Sequence, residues 1–164
     1  MRREIAALLP RARAFARFLV KNRAEADDLV QEGLVRALAS LDQFRPGTRL
    51  RPWLFTILRN TFYEQARRRR TERRVMEEVA RDAPTAKHPT QTAPQENEAT
   101  LNDLQRLLWT LPPLLREALV LVGAQGLAHE EAAEICNVPV GTMRARVSRA
   151  RAAIARAMRA RTID

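Results

Sequence analysis

The amino-acid sequence predicts an all-α protein of two small helical domains joined by a flexible linker. Three observations carry this. Apolar residues recur three and four positions apart over most of the chain, the spacing of one helix face. No segment alternates apolar and polar residues over strand length. Residues 83–98, APTAKHPTQTAPQENE, set Pro84, Pro89 and Pro94 among Thr and Gln and show no apolar period, so they read as a joint between two folded blocks.

The first block divides into three helices. ALLPRARAFARFLVKN places Leu8, Ala12, Phe15, Phe18 and Leu19 on one face. AEADDLVQEGLVRALASL repeats the spacing with Leu29, Val30, Leu34, Ala37, Leu38 and Leu41, and Leu29, Leu34 and Leu38 are expected to point inward. FRPGTRLR, with its Pro-Gly pair, predicts a loop. Pro52 suits the first turn of a third helix, PWLFTILRNTFYEQARRRR. Core packing is the expected role of Trp53, Phe55 and Phe62, while Tyr63 stays open. The second block predicts helices at about 99–109, 113–123, 129–135 and 140–160.

Charge narrows the function. The net charge is +10, and of 29 cationic residues only Lys21 and Lys87 are lysines. Residues 1–75 carry 18 cationic and 8 acidic side chains, 76–98 carry 2 and 5, and 99–164 carry 9 and 6, so an acidic strip separates two basic blocks. That balance calls for a polyanionic partner, nucleic acid before an anionic membrane. The longest apolar run, ALVLVGA at 118–124, is too short to cross a bilayer. The N-terminal MRREIAALLPRARAF lacks the apolar core of a signal peptide. Cys136 is the only cysteine, so no internal disulfide can form and a small buried thiol is expected. A cytoplasmic protein fits all of this.

The most informative stretch is VPVGTMRARVSRAR at 138–151. Wound as a helix, residues 140–160 put Met143, Val147, Ala150, Ile154 and Met158 on one stripe. Ala145, Ser148, Arg149, Ala152 and Arg156 lie opposite, with Arg144 and Arg146 on the flanks. The outward face is small and basic and lacks the bulky apolar residues of a membrane-lying helix. HEEAAEICNVPVGT before it predicts a short helix and a tight turn near Asn137–Pro139, with Ala132 or Ala133 allowing close contact. That is a helix-turn-helix, whose second helix offers its N-terminal polar face to a major groove. Arginine pairs bidentately with guanine, and Ala and Ser let the backbone approach. Arg156, Arg159 and Arg161 suit phosphates or the helix end. With about twenty linker residues reaching ~70 Å extended and ~25 Å as typical coil, the two blocks can occupy sites one to two DNA turns apart at ~34 Å per turn.

AEADDLVQEGLVRAL at 24–38, FRPGTRLRPWLFTILRNTFYEQARRRR at 44–70 and LPPLLREALVLVGAQGLAHEEAAEICNVPVGTMRARVSRAR at 111–151 together resemble the extracytoplasmic-function (ECF) sigma factors of the sigma-70 family. The wording FxPGTxxxxWLFTILRNTFY and REALxLVGAxG is most similar to the EcfG type, which directs the general stress response. The resemblance implies a region-2 domain at 1–75, a linker at 76–98 and a region-4 domain at 99–164. It implies binding to the clamp and flap of core RNA polymerase, to a two-part promoter, and to a small anti-sigma protein.

Residue roles follow from the resemblance position by position. Asp28, Gln31 and Glu32 of DLVQE face the polymerase clamp. Read from the residues alone, they are polar groups left free for an Arg-rich partner by the inward Leu29, Leu34 and Leu38, or simply part of a helix with acidic residues in its first turn, stabilised by its dipole. The loop from Phe44, with Thr48 and Arg49, surrounds a base flipped from the −10 element, and Asn60 lies beside that base. An Asn amide offers both donor and acceptor to a base edge. Arg59 and Arg67–Arg70 meet phosphates, and Tyr63 is grouped with this surface. Thr142 meets a phosphate, and Arg144, Ala145, Ser148 and Arg149 meet bases of the −35 element. One departure stands out: where the family has Ser before Tyr, this chain has Ala128 and His129. Alanine cannot cap a helix through its side chain, a loss of about 1 kcal/mol.

Two rivals remain at this stage. A sigma-like mimic that sequesters the anti-sigma protein needs no DNA contacts and carries a receiver domain; the expectation is against it, since Arg144 and Arg149 are retained and no receiver-like segment is seen. A stand-alone helix-turn-helix repressor would leave the first block unexplained. An enzyme is not expected: there is no Gly-rich phosphate cradle, no Cys/His metal spacing and no histidine near a nucleophile. His129 reads as a surface or capping residue, and His88 lies in the linker. No cofactor, metal, membrane or small-molecule substrate is expected.

Overall fold

The computed structural model describes residues 1–82 and 103–163. Among these residues there are helices and no strand, as the apolar spacing predicts. The helices are α1 (Arg2–Ala7), α2 (Leu9–Leu19), α3 (Arg23–Ala39), α4 (Leu50–Asp82), α5 (Asp103–Thr110), α6 (Pro113–Leu119), α7 (His129–Cys136) and α8 (Val140–Thr162). The predicted first helix is therefore preceded by a short one, with Pro10 in the first turn of α2, where no amide donor is needed. Asn22 caps α3, its Oδ1 accepting from the Ala24 and Glu25 amides at 2.8 and 3.2 Å. Helix α4 continues to Asp82, so residues 76–82 of the predicted linker are helical; 83–98 lie outside the described residues.

Helices α3 and α4 pack unusually close. A Cβ on Gly33 would lie 2.4 Å from Leu58 Cδ2, so any larger residue there forces the buried Leu58 side chain to shift. This close approach corrects one expectation. The buried stripe of α3 is Ala26, Leu29, Val30, Gly33 and Ala37, defined by its small residues. Leu38 sits one position round from it and is 45% exposed. Likewise the stripe of α8 is buried at Met143, Val147 and Ala150, but Met158 outruns the body and is exposed.

Both halves contribute to one core. Phe15, Leu29, Leu54, Phe55 and Leu58 join Leu121, Leu127, Ile135, Met143 and Val147 in a single buried cluster. Phe15 and Phe55 are fully buried, with ring centroids 5.0 Å apart. Trp53 and Phe62 are half-buried against the cluster. Helix α6 ends in a wider turn, Gln125 N–H donating to Val120 C=O at 2.8 Å, and Gly126 then takes φ +67. This delivers the chain to α7. Asn137, at φ 53, closes α7 in the left-handed conformation that asparagine tolerates, making the predicted tight turn.

Candidate nucleic-acid interface

The turn between α7 and α8 builds a helix-turn-helix. Ala132 and Ala133 are buried where the helices cross, and Met143 and Val147 fill the space between them. Ala128 provides no side-chain cap. The Glu131 carboxylate instead accepts from the Ala128 amide at 3.3 Å, satisfying one of the free donors.

With its stripe buried, α8 turns the other face out. Thr142, Arg144, Ser148 and Arg149 are exposed and Ala145 is half-buried. Arg144 donates to Glu130 at 3.1 Å across the turn. The backbone amide of Glu130 and then Arg144 hold that carboxylate below its ordinary pKa. Arg149 has no ion-pair partner among the described residues, so its guanidinium stands free.

The second candidate surface spans the loop before α4 and one face of α4. Thr48, Asn60 and Arg67 are exposed. Phe44 packs edge-on to Trp53, centroids 5.2 Å apart, which fixes the start of the loop. Arg49 pairs with Glu131 of α7 at 3.0 Å. Arg59 and Tyr63 are not open to solvent in the way the sequence leads one to expect. The Arg59 guanidinium lies 4.6 Å over the Tyr63 ring and forms an ion pair with Glu117 of α6. The side chains of that pair are only 14% and 2% exposed. Burial acts to lower the Arg59 pKa, but the Glu117 carboxylate outweighs it and the net direction is up. Tyr63 Oη donates to Glu117 at 3.4 Å, and burial with that carboxylate raises its pKa.

Sequence reasoning missed Glu117 and its neighbour Arg116. Arg116 is buried, donates to the Phe18 and Leu111 carbonyls at 3.0 and 3.3 Å, and stacks 3.8 Å over Trp109. Burial lowers its pKa. The signal was there in two adjacent charges within an otherwise apolar run, PLLREALVLV, where buried charges must find partners.

Cys136 also faces this cluster, its thiol donating to Glu117 at 3.4 Å. Burial first, then the Glu117 charge, push the thiol from 9.0 up to about 12. The thiolate is the reacting form. Iodoacetamide should therefore alkylate the folded chain at pH 8 about a thousandfold more slowly than the chain in urea, a ratio set by three pKa units. Peptide mass mapping reads this directly. The same shift makes stability fall as pH climbs from 9.0 towards about 12, because the unfolded thiol releases its proton first. Below pH 9 this group contributes no slope.

The three residues expected to face polymerase divide. Asp28 and Gln31 are exposed on α3. Glu32 is not free, as expected, but engaged: it accepts from Gln65 at 2.5 Å and Arg36 at 2.6 Å. The Gln65 hydrogen bond, with Arg36 and Arg68, lowers its pKa. Arg36 also reaches Glu64, so this network pins α3 to α4.

Comparison with known proteins matches the chain to two family models, Sigma-70 region 2 over residues 5–72 and Sigma-70, region 4 over residues 101–154. The ECF RNA polymerase sigma factor EcfG of Rhodopseudomonas palustris (strain TIE-1) is 49% identical over 152 residues, 92% of this chain and 81% of that one. The chain belongs to the ECF sigma factors. Among solved structures, the sigma factor RpoE in complex with the anti-sigma factor NepR from Bartonella quintana superposes on this sigma factor with TM-score 0.77 at 39% identity, covering 96% of both chains. CnrH in complex with the cytosolic domain of CnrY gives 0.68 at 27% identity, covering 96% of this chain and 86% of that one. As a sigma factor the chain is a transcription initiation factor, most like the EcfG type. No described helix is long and apolar enough to cross a membrane.

Proposed function

We propose that this sigma factor acts in the cytoplasm, binds core RNA polymerase and directs it to two-part promoters of stress-response genes, with no catalysis of its own. Residues 1–75 form the −10 module, 76–98 the connection and 99–164 the −35 module. Asp28 and Gln31 meet the polymerase clamp. Asn60 holds a flipped base, with Phe44, Thr48 and Arg49 around it, and Arg59, Tyr63 and Arg67 along the strand. Thr142, Arg144, Ala145, Ser148 and Arg149 read the −35 duplex. A small anti-sigma protein, as the RpoE relative has, is the expected antagonist.

The observation that carries this reading is the small, arginine-bearing outer face of α8, raised on a buried stripe of Met143, Val147 and Ala150. A helix serving only to pack would not need free Arg149 beside Ala145 and Ser148. Trapping an extruded base offsets the stacking lost on opening, a few kcal/mol. Asn60→Ala should therefore slow promoter opening while core binding stays intact. Permanganate footprinting of the −10 region in run-off reactions with core polymerase checks this. Unchanged reactivity there would remove Asn60 from the melting role.

A further inference from the structure

Two arginines of α8 carry a proposed −35 role, and their surroundings differ. Arg149 has no ion-pair partner among the described residues. Arg144, nearer the start of the helix, donates through Nη2 to Oε1 of Glu130 at 3.1 Å. The pair spans the helix-turn-helix, from the first turn of α7 to α8.

Stability of the fold does not account for this pair. Its side chains are 62% and 65% exposed, and an ion pair so open to water contributes little. Helix α8 is held by the buried Met143, Val147 and Ala150. The start of α7 has a second acid, Glu131, which accepts from the Ala128 amide. A helix dipole favours a carboxylate in the first turn, but it does not require that carboxylate to reach another helix.

The pair does change what Arg144 can bind. A DNA phosphate drawn to this guanidinium must also approach the Glu130 charge, and like charges repel. A guanine edge offers N7 and O6, which are neutral acceptors. Glu130 takes one of the guanidinium donors, and the rest of the fork remains for a base. The carboxylate therefore opposes the backbone and tolerates the base.

We propose that Glu130 is a positioning residue that sets −35 specificity: it holds the Arg144 guanidinium away from phosphates and presents it to a guanine edge. Nonspecific affinity is given up for discrimination. Arg149 has no such restraint. The inference rests on the base-reading role proposed above for Arg144.

The test uses the full chain bound to core polymerase. Promoter duplexes carry the −35 element intact, changed one base pair at a time, or scrambled, and retention is measured over a range of salt. Arg144→Ala first identifies the base pair that Arg144 reads. Glu130→Gln should lower the preference at that same pair by about two- to fivefold. It should raise retention of the scrambled duplex by a similar factor. On the scrambled duplex the log–log salt dependence should steepen by about 0.9, one more phosphate engaged. Adding Glu130→Gln to Arg144→Ala should cost no further preference, because the two act as one unit. Glu134→Gln is the control for charge alone, since Glu134 is an exposed acid on α7 with no ion-pair partner among the described residues. Circular dichroism melts check the fold. Should Glu130→Gln melt early, Glu130→Asp keeps the first-turn charge but draws it back from Arg144, and should lower the same preference. An unchanged preference at the Arg144 pair overturns the inference. So does a loss spread evenly over the element, as a merely structural role would give, or an equal shift from Glu134→Gln. If Arg144→Ala itself leaves every −35 preference intact, the base-reading role of Arg144 falls, and the role of Glu130 falls with it.

Discussion

Replacing Phe15 by alanine is expected to lower unfolding free energy by about 3–5 kcal/mol. Phe15 is fully buried, stacks at a tilt on Phe55, and lies in the cluster that takes side chains from both halves. Truncation removes the ring's transfer free energy and leaves a cavity whose lining, packed on every side, cannot collapse far. A domain of this size is stable by about 5–15 kcal/mol, so the loss is a large part of the whole. The melting midpoint should fall by roughly 6–20 °C, at about 2–4 °C per kcal/mol. Thermal melts followed by circular dichroism measure it. Val79→Ala, on the exposed end of α4, is the comparison and should stay within about 0.5 kcal/mol of wild type. If Phe15→Ala melted only residues of the first half, leaving α6–α8 folded to the wild-type midpoint, the shared core would not be a cooperative unit.

The largest functional effect is expected at Arg149. Its side chain is exposed on the outer face of α8 and has no ion-pair partner among the described residues. A bidentate contact to a guanine contributes about 1–3 kcal/mol of discrimination, so Arg149→Ala should lower transcription from an intact −35 element by about 5- to 150-fold. The readout is run-off transcription on matched templates. With the −35 element scrambled, wild type and variant should converge. An equal fall on both templates would assign Arg149 to phosphate contact or to packing instead. The fold should be untouched, since Met143, Val147 and Ala150, not Arg149, hold α8 in place.

Much of the architecture was legible because it depends on local spacing. The stripe Met143, Val147, Ala150 declares α8 on its own, and the Asn137–Pro139 turn follows from residue types that tolerate a left-handed or fixed backbone. Phe15 and Phe55 announced a core. What stayed hidden depends on contacts far apart in sequence. Periodicity favours large residues, so it set Leu38 inside; the tight α3–α4 crossing at Gly33 put small residues there instead. Glu32 looked like a free acid because Gln65 and Arg36, which claim it, are identified only once α4 lies beside α3. Arg59 and Tyr63 were read as part of a DNA face, and nothing near them in sequence points to Glu117, 58 and 54 residues on. Ala128 was read correctly as a missing cap, while Glu131 supplies the half of the box that remains.

The missing side chain at Gly33 has a mechanical result. With Leu58 seated directly against that gap and Arg36, Glu32, Glu64 and Gln65 stitched across the same seam, α3 and α4 have no slack to slide or roll. Whatever grips Asp28 and Gln31 on one side therefore also sets the azimuth of Asn60 on the other. On the roles proposed for Asp28, Gln31 and Asn60, polymerase holding this helix pair also aims it, and a valine at position 33 is expected to spoil that aim without altering any of those three residues.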